Sequence, residues 1–498
     1  MQAADSKPFV SPYSTAQQNA VVAILAFAGM GSSFMQTILM PIQSSLPALL
    51  GAPAEDTAWV ITVTLLTAAI GVPIAGKLGD MFGKKKIALV LLGILVVGSV
   101  VCAFANALPL MIVGRALQGA GMGVIPLGIS MLRDVVDPKR LGTSIALVSA
   151  TLGVGGAIGL PISAIVTEHF DWHMLFVVAT VIASVSFVLI ALFVPKTGNG
   201  TGGRVDILGA VGLAIGLVGV LLAISRGNTW GWGSAPTLIS AGIGLVAFAL
   251  WGWYELRTKN PLVDLRVSAR PAVLTTNLAA VAMGFALFSS SIAFPQLLEL
   301  PEAAGGLGFD LLTASLLLMP SGLAMLVMSP IAGRIERAVG PKPLLVAGAS
   351  VIAAAYLACV FLPMHGWTIA IVNTVIGLGI GLGYAAMPAL IMGAVPRSET
   401  GAANGLNTLM RSFGTTVAAA LVGAILAGAT GGDLAGSFRI VFVLGLAAAA
   451  ICAVIGAFIP KPRLDDELHD VVDEEAPAAV PTGTVPTGTG SFEAASRH

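Results

Sequence analysis

Two arginines set in apolar sequence have the most chemistry to offer. Arg115 lies inside the apolar run 107–130 with Gln118 three residues on, and Arg411 lies in NGLNTLMRSFGTT behind Asn404 and Asn407. Spacings of three and four put Asn404, Asn407 and Arg411 on one helix face. A guanidinium is a permanent cation with five donors and no acceptor, so within a membrane it needs carbonyls, amides, water or an anion. At 1.5 Å per residue Arg115 stands roughly 12 Å below a helix end, too deep to reach bulk water. Gln36 and Gln118 are its candidate amide partners, and Asn277, Asn373 and Tyr384 are the other polar groups placed to line a cavity. This is the chemistry of binding, without an acid–base pair or a nucleophile beside a base.

The elements that carry these groups are hydrophobic helices. Apolar residues make up 56% of the 498-residue chain and charged residues 10%, with a mean hydropathy of +0.93, which excludes a soluble globular protein. Fourteen spans are expected, near 20–43, 57–76, 87–105, 107–130, 142–166, 172–194, 207–225, 235–254, 272–295, 310–332, 344–363, 367–392, 402–427 and 438–460. With both termini inside, 21 of the 25 basic residues fall in cytoplasmic segments. Arg226 and Arg439 then lie outside, Arg115 and Arg411 lie within spans, and no Asp or Glu sits mid-span. An odd number of spans would break this sidedness, so an even number with cytoplasmic ends is expected.

The stretch GKLGDMFGKKK, from Gly76 to Lys86, reads as a charged turn between the second and third spans. Gly76, Gly79 and Gly83 allow close helix ends, Asp80 is placed to accept from a neighbouring helix N-terminus, and Lys84 heads a cluster of lysines. A degenerate copy, GRIERAVGPKP, starts at Gly333, with Ala338 four residues before Lys342 where Asp80 stands four before Lys84. The fourth and twelfth spans, and the entries DPKRLGTSIAL and VPRSETGAANGL to the fifth and thirteenth, echo each other too. The chain is therefore a duplication: a tail 1–19, a six-helix half 20–194, a linker with two inserted spans 195–271, a second six-helix half 272–460, and a disordered acidic tail 461–498. Repeated halves around a midplane site are the construction of secondary transporters.

On these motifs the chain resembles the major facilitator superfamily and, in its fourteen spans, that family's branch of drug:proton antiporters. The resemblance covers the first span to about Pro460. It rests on the loop at Gly76, on Arg115, Gln118, Gly119 and Gly123 of the fourth span, and on DWHMLF at Asp171. It implies an all-α membrane protein of two six-helix bundles working by alternating access. Export of amphipathic or apolar small molecules, coupled to protons, across a bacterial inner membrane is the activity implied. The alternatives are an organic-anion transporter gripping its cargo with Arg115 and Arg411, and a membrane sensor or scaffold that does not transport.

Two stretches depart from the branch. The first span reads FMQTILMPIQSSLP and lacks the Asp common there, leaving Gln36 and Gln43 around Pro41. The fifth reads LGVGGAIGLP, with Gly153, Gly155, Gly156 and Gly159 present and the proline displaced to Pro161. The resemblance carries no cofactor, metal, ATP or nucleic acid, and no phosphate-binding glycine loop with its lysine is present, so the chain is not read as an enzyme. Cys102, Cys359 and Cys452 lie in apolar runs and read as core residues. Glu299, Glu302 and Asp310, with Glu168, His169, Asp171 and His173, are expected at the outer side, where a coupled proton would bind.

Overall fold

The computed structural model describes residues 11–39, 42, 45–57, 59–196, 202, 206–258, 261–302, 305–396, 399–428 and 434–460. Pro41, Gln43 and the tail 461–498 fall outside them. The elements are α1 (Thr15–Thr37), α2 (Leu46–Leu50), α3 (Ala54–Thr57), α4 (Trp59–Phe82), α5 (Lys84–Ala103), α6 (Leu108–Gly121), α7 (Val124–Val135), α8 (Pro138–His169) and α9 (Met174–Phe193). They continue as α10 (Ile207–Trp230), α11 (Ala235–Glu255), α12 (Leu265–Ser268), α13 (Pro271–Glu299), α14 (Leu311–Val339), α15 (Pro341–Phe361), α16 (Gly366–Ala394), α17 (Thr400–Gly428) and α18 (Leu434–Phe458). Among the described residues fourteen helices, counting α6 and α7 as one span, are long and apolar enough to cross a membrane.

Most spans run past the boundaries that hydropathy marks. The clearest correction is at Gly76. Helix α4 continues through Gly76, Gly79 and Asp80 to Phe82, α5 starts at Lys84, and the turn is Gly83 alone, at φ 96°. Charge and glycine do not end a helix whose amides are still bonded; a residue held at positive φ does. The second copy turns in the same way, at Gly340 with φ 84°. The fourth span carries a break that hydropathy does not show. Pro126 cannot donate to the Met122 carbonyl, and Met122 N bonds back to Gly119 O at 3.0 Å as the helix shifts register.

The duplication appears in the packing. Helix α1 lies against α8 as α13 lies against α17, and α5 lies against α6 and α9 as α15 lies against α16 and α18. Between the halves α14 packs on α8 and α4 packs on α17, so two equivalent seams join the bundles. The inserted α10 and α11 pair with each other, and α10 docks on α17 and α4. Large apolar side chains such as Leu192, Phe193, Leu245 and Phe458 stay exposed on the outer surface, as lipid-facing helices require.

Candidate functional site

A cavity of about 290 Å³ lies between the halves, within the size range of small-molecule sites. Ser33, Gln36 and Thr37 of α1, Arg115 of α6, Gly153 and Gly156 of α8 line one side. Phe288 of α13, Met325 of α14, Asn373 and Tyr384 of α16, and Arg411 of α17 line the other. A second cavity of about 460 Å³ shares Ile61, Leu160, Phe288, Pro295 and Thr415 with it and extends to Gln296 and Glu299 at the end of α13 remote from Arg270. The space therefore continues from the midplane toward the face opposite the one rich in Lys and Arg, hereafter the basic face.

The two arginines do different things. Arg115 is 1% exposed. Its Nε donates to Val60 O at 3.1 Å and its Nη1 donates to Met35 O at 3.1 Å and to Gln118 Oε1 at 2.7 Å. Met35 lies in the last turn of α1, where carbonyls lack helical donors, so the guanidinium ties α1, α4 and α6 together. Gln118 passes the chain on, donating from Nε2 to Ser99 Oγ of α5 at 2.8 Å. Of the two expected amide partners only Gln118 is used; Gln36 Nε2 approaches Met122 Sδ at 3.6 Å and faces the cavity.

Arg411 is half-buried, and its guanidinium carbon lies 4.5 Å from the centre of the Tyr384 ring, within cation–π range. No carboxylate is among the described residues that line the central cavity, so the space holds a positive charge without a counter-charge in its walls. An uncharged cavity is therefore not what the fold builds. The stripe that ends at Arg411 divides: Asn407 Nδ2 donates to Asn277 Oδ1 at 3.0 Å across α13 and α17, and Asn404 is buried with both amide atoms lacking a hydrogen-bond partner. Asn277 and Asn407 thus join α13 to α17, and Arg411 alone of the stripe reaches the cavity.

The glycines of the fifth span serve several contacts. Gly153 admits the Met325 thioether from α14, and Gly155 and Gly159 admit the backbone and Thr37 side chain of α1. Pro161 sits inside the continuous α8.

At the basic face the first seam is closed by polar contacts. Asp80 is 7% exposed, and its two oxygens accept from Gly401 N at 3.2 Å and Ala402 N at 2.9 Å, in the first turn of α17. An acid at the end of α4 is thereby placed on a helix N-terminus, where its charge is favoured. Gly76 makes this possible, since a Cβ there would collide with Gly401 O. Lys84 Nζ donates to Asp134 Oδ2 at 2.7 Å and to Thr400 Oγ1 at 3.3 Å, and Arg133 Nη1 donates to Val395 O at 3.2 Å.

The second seam also has an acid, although the copied loop has Ala338 at the matching distance from its lysine. Glu336 presents its carboxylate to the start of α8, with Oε2 2.5 Å from where a Cβ on Gly142 would stand. That oxygen is buried and has no hydrogen-bond partner. Sequence reasoning passed over Glu336 because alignment by the lysines sets Ala338 opposite Asp80 and alignment by Gly76 and Gly333 sets Arg337 there, so the acid is one residue out of register even in the glycine frame. Asp134 and Thr400 were also missed, and only their position opposite Lys84 marks them.

Outside the spans, Asp137 ahead of α8 accepts from Gln18 Nε2 at 3.1 Å and from Ser11 N at 2.9 Å, and these bonds hold its carboxyl below the usual range. Asp171 is likewise held down by the backbone and ring of His173.

The model of the Major Facilitator Superfamily matches residues 25–418 and 276–485. A lincomycin resistance protein, LmrB, of Listeria monocytogenes is 27% identical over 469 residues, which is 89% of this chain and 97% of that protein. The multidrug resistance protein Stp of Mycobacterium tuberculosis is 22% identical over 372 residues, covering 74% and 68%. Among solved structures, the proton:xylose symporter XylE superposes with a TM-score of 0.65 at 13% identity, over 90% of this chain and 97% of that one. The human organic anion transporter MFSD10 superposes with a TM-score of 0.63 at 14% identity, over 87% and 99%.

Proposed function

This chain belongs to the major facilitator superfamily, and from that premise we propose a secondary exporter of amphipathic small molecules that works by alternating access in a bacterial cytoplasmic membrane. Its basic face and both termini lie in the cytoplasm. One observation carries the reading. The midplane cavity takes walls from both halves and continues toward the outer face, while the cytoplasmic side is shut by separable contacts such as Asp80 on the start of α17. Rocking the halves about the cavity would break those contacts and open the site inward. The resistance proteins among the relatives support efflux as the direction.

A second reading, transport of organic anions, is favoured by Arg411. Its charge stands over Tyr384 with no acid among the described residues that line the central cavity, whereas Arg115 is spent on carbonyls and Gln118. The two readings meet in a cargo with an apolar body and an anionic end. Proteoliposome flux with an imposed pH gradient, on lipophilic cations, neutral amphipaths and organic anions, tests them. Arg411→Gln should lower anion flux about tenfold or more, equivalent to about 1.4 kcal/mol or more, and lower neutral flux less. Undiminished anion flux in that variant removes the anion reading. Flux that is the same with and without the gradient removes proton coupling.

A further inference from the structure

The inserted pair holds two acids at its basic-face end, Glu255 buried and Asp206 partly buried. Asp206 precedes α10 and accepts at Oδ1 from Gly209 N at 2.8 Å and from the Tyr254 hydroxyl at 3.0 Å. Glu255 ends α11, is 2% exposed, and accepts at Oε2 from Leu262 N at 3.1 Å. The other two oxygens, Asp206 Oδ2 and Glu255 Oε1, are buried and have no hydrogen-bond partner. They converge on one place: a Cβ on Gly209 would stand against Asp206 Oδ2 and 2.7 Å from Glu255 Oε1. Trp251 Nε1, one turn earlier on α11, is directed toward Glu255 but falls short of hydrogen-bond geometry.

Charge makes the arrangement costly when both acids are ionised. Glu255 stands at a helix C-terminus, where a negative charge is disfavoured, and among the described residues Asp206 is the charged group that acts on it. Among the described residues the surrounding cations are engaged elsewhere. Arg257 stacks on Trp253, Arg266 Nη2 donates to Leu256 O, and Lys77 of α4 and Arg270 act on Glu399. Asp264 caps α12, Asp80 of α4 holds α17, and Arg411 of α17 faces Tyr384. Two carboxylates whose buried oxygens face each other are costly without a cation, and a shared proton satisfies both orphan oxygens at once.

We propose that Asp206 and Glu255 form a proton-binding site, one carboxylic O–H donating to the other carboxylate, which fastens the inserted pair to the connector at Leu262 and Val263. The proton sits on one acid, and the other keeps its charge against the Gly209 or Leu262 amide. Leu262 and Val263 are buried among Ala69 of α4, Leu213 and Leu217 of α10 and Leu409 of α17. The site therefore lies where the inserted helices meet both halves, and it does not depend on what the central cavity carries. Losing the proton sets two charges against each other and loosens the connector from that seam.

The test uses the full-length protein in detergent, with thermal midpoints read from about pH 6 to about pH 9 in sodium and in choline buffers, and infrared spectra of the carboxyl groups. The wild type should lose stability toward alkaline pH equally in both buffers and show a carboxylic acid C=O band near neutrality. In E255Q the amide donates to Asp206 in place of the proton, so the alkaline loss should flatten and the band should shrink. D206N should do the same from the other side, so either variant decides if the other does not fold. An alkaline loss in these variants equal to that of the wild type, or a wild type without the band, overturns the proposal. A sodium-dependent midpoint that E255Q abolishes also overturns it, because the niche then holds a metal cation.

Discussion

The two seams between the halves are copies, yet only the first is bonded through its acid. At the first, both oxygens of Asp80 take up amides of α17, and Lys84 gathers Asp134 and Thr400 beside it. At the second, Glu336 meets α8 with one oxygen left buried and unpartnered, and Arg337 Nη1 reaches Lys139 O at 3.0 Å on the exposed rim. Duplication reproduced the helix pairing and the glycine turns, which depend on shape. It did not reproduce the hydrogen bonds, which depend on the position of one carboxylate to within a residue. The closed basic face is therefore held asymmetrically, with the first seam as its stronger half.

The comparison can be broken first at Gly401. A Cβ there would stand 2.7 Å from both Gly76 O and Asp80 Oδ1, so Gly401→Leu should force α17 off α4. Overpacking of this kind costs about 1–3 kcal/mol. Transport should fall about tenfold or more, and crosslinking between cysteines placed on α4 and α17 should drop; unchanged crosslinking would refute the close seam. Next, Asp80→Asn removes a charge that accepts two helix amides and should weaken the closed state by about 2 kcal/mol. Spin-label distances across the basic face would report the shift toward a population open on that side.

Glu336→Gln should have a smaller effect, within about 0.5 kcal/mol of neutral or stabilising, because it neutralises a carboxylate whose buried oxygen has no donor. An E336Q variant as damaged as D80N in the same distance measurement would make the seams equivalent. The smallest effect belongs to Asp137, which leads into α8 at the second seam. Its carboxyl is held low by Gln18 and Ser11, so its contribution is fully present above the ordinary carboxylate range and is lost as pH falls through the lowered value. Asp137→Asn should therefore lower the thermal midpoint at about pH 7 and make little difference at about pH 2; a difference that persists in acid would mean the bonds do not depend on charge.

Much of the fold is legible in the residues. Span number, sidedness and the repeat at Gly76 and Gly333 follow from hydropathy, charge and local identity. The candidate site is legible only in part. Arg115 and Arg411 stand out as charges in apolar helices, but nothing in their neighbourhoods says that the first braces helices while the second faces a cavity. The Asn404, Asn407 and Arg411 stripe shares one face by spacing, yet side-chain length lets Arg411 reach the cavity while Asn277 takes Asn407. Glu255 and Asp206 read as solvated ends of inserted helices until the connector folds back over them.

Sequence alone determined that this is a duplicated, fourteen-span membrane protein with one basic face, because each span must be apolar over its own length and each loop carries its own charge. Tertiary structure alone decided which polar groups meet. Asp80 lies more than three hundred residues from Gly401 and Ala402, and no local pattern encodes which helix N-terminus a carboxylate will find once the halves close on each other.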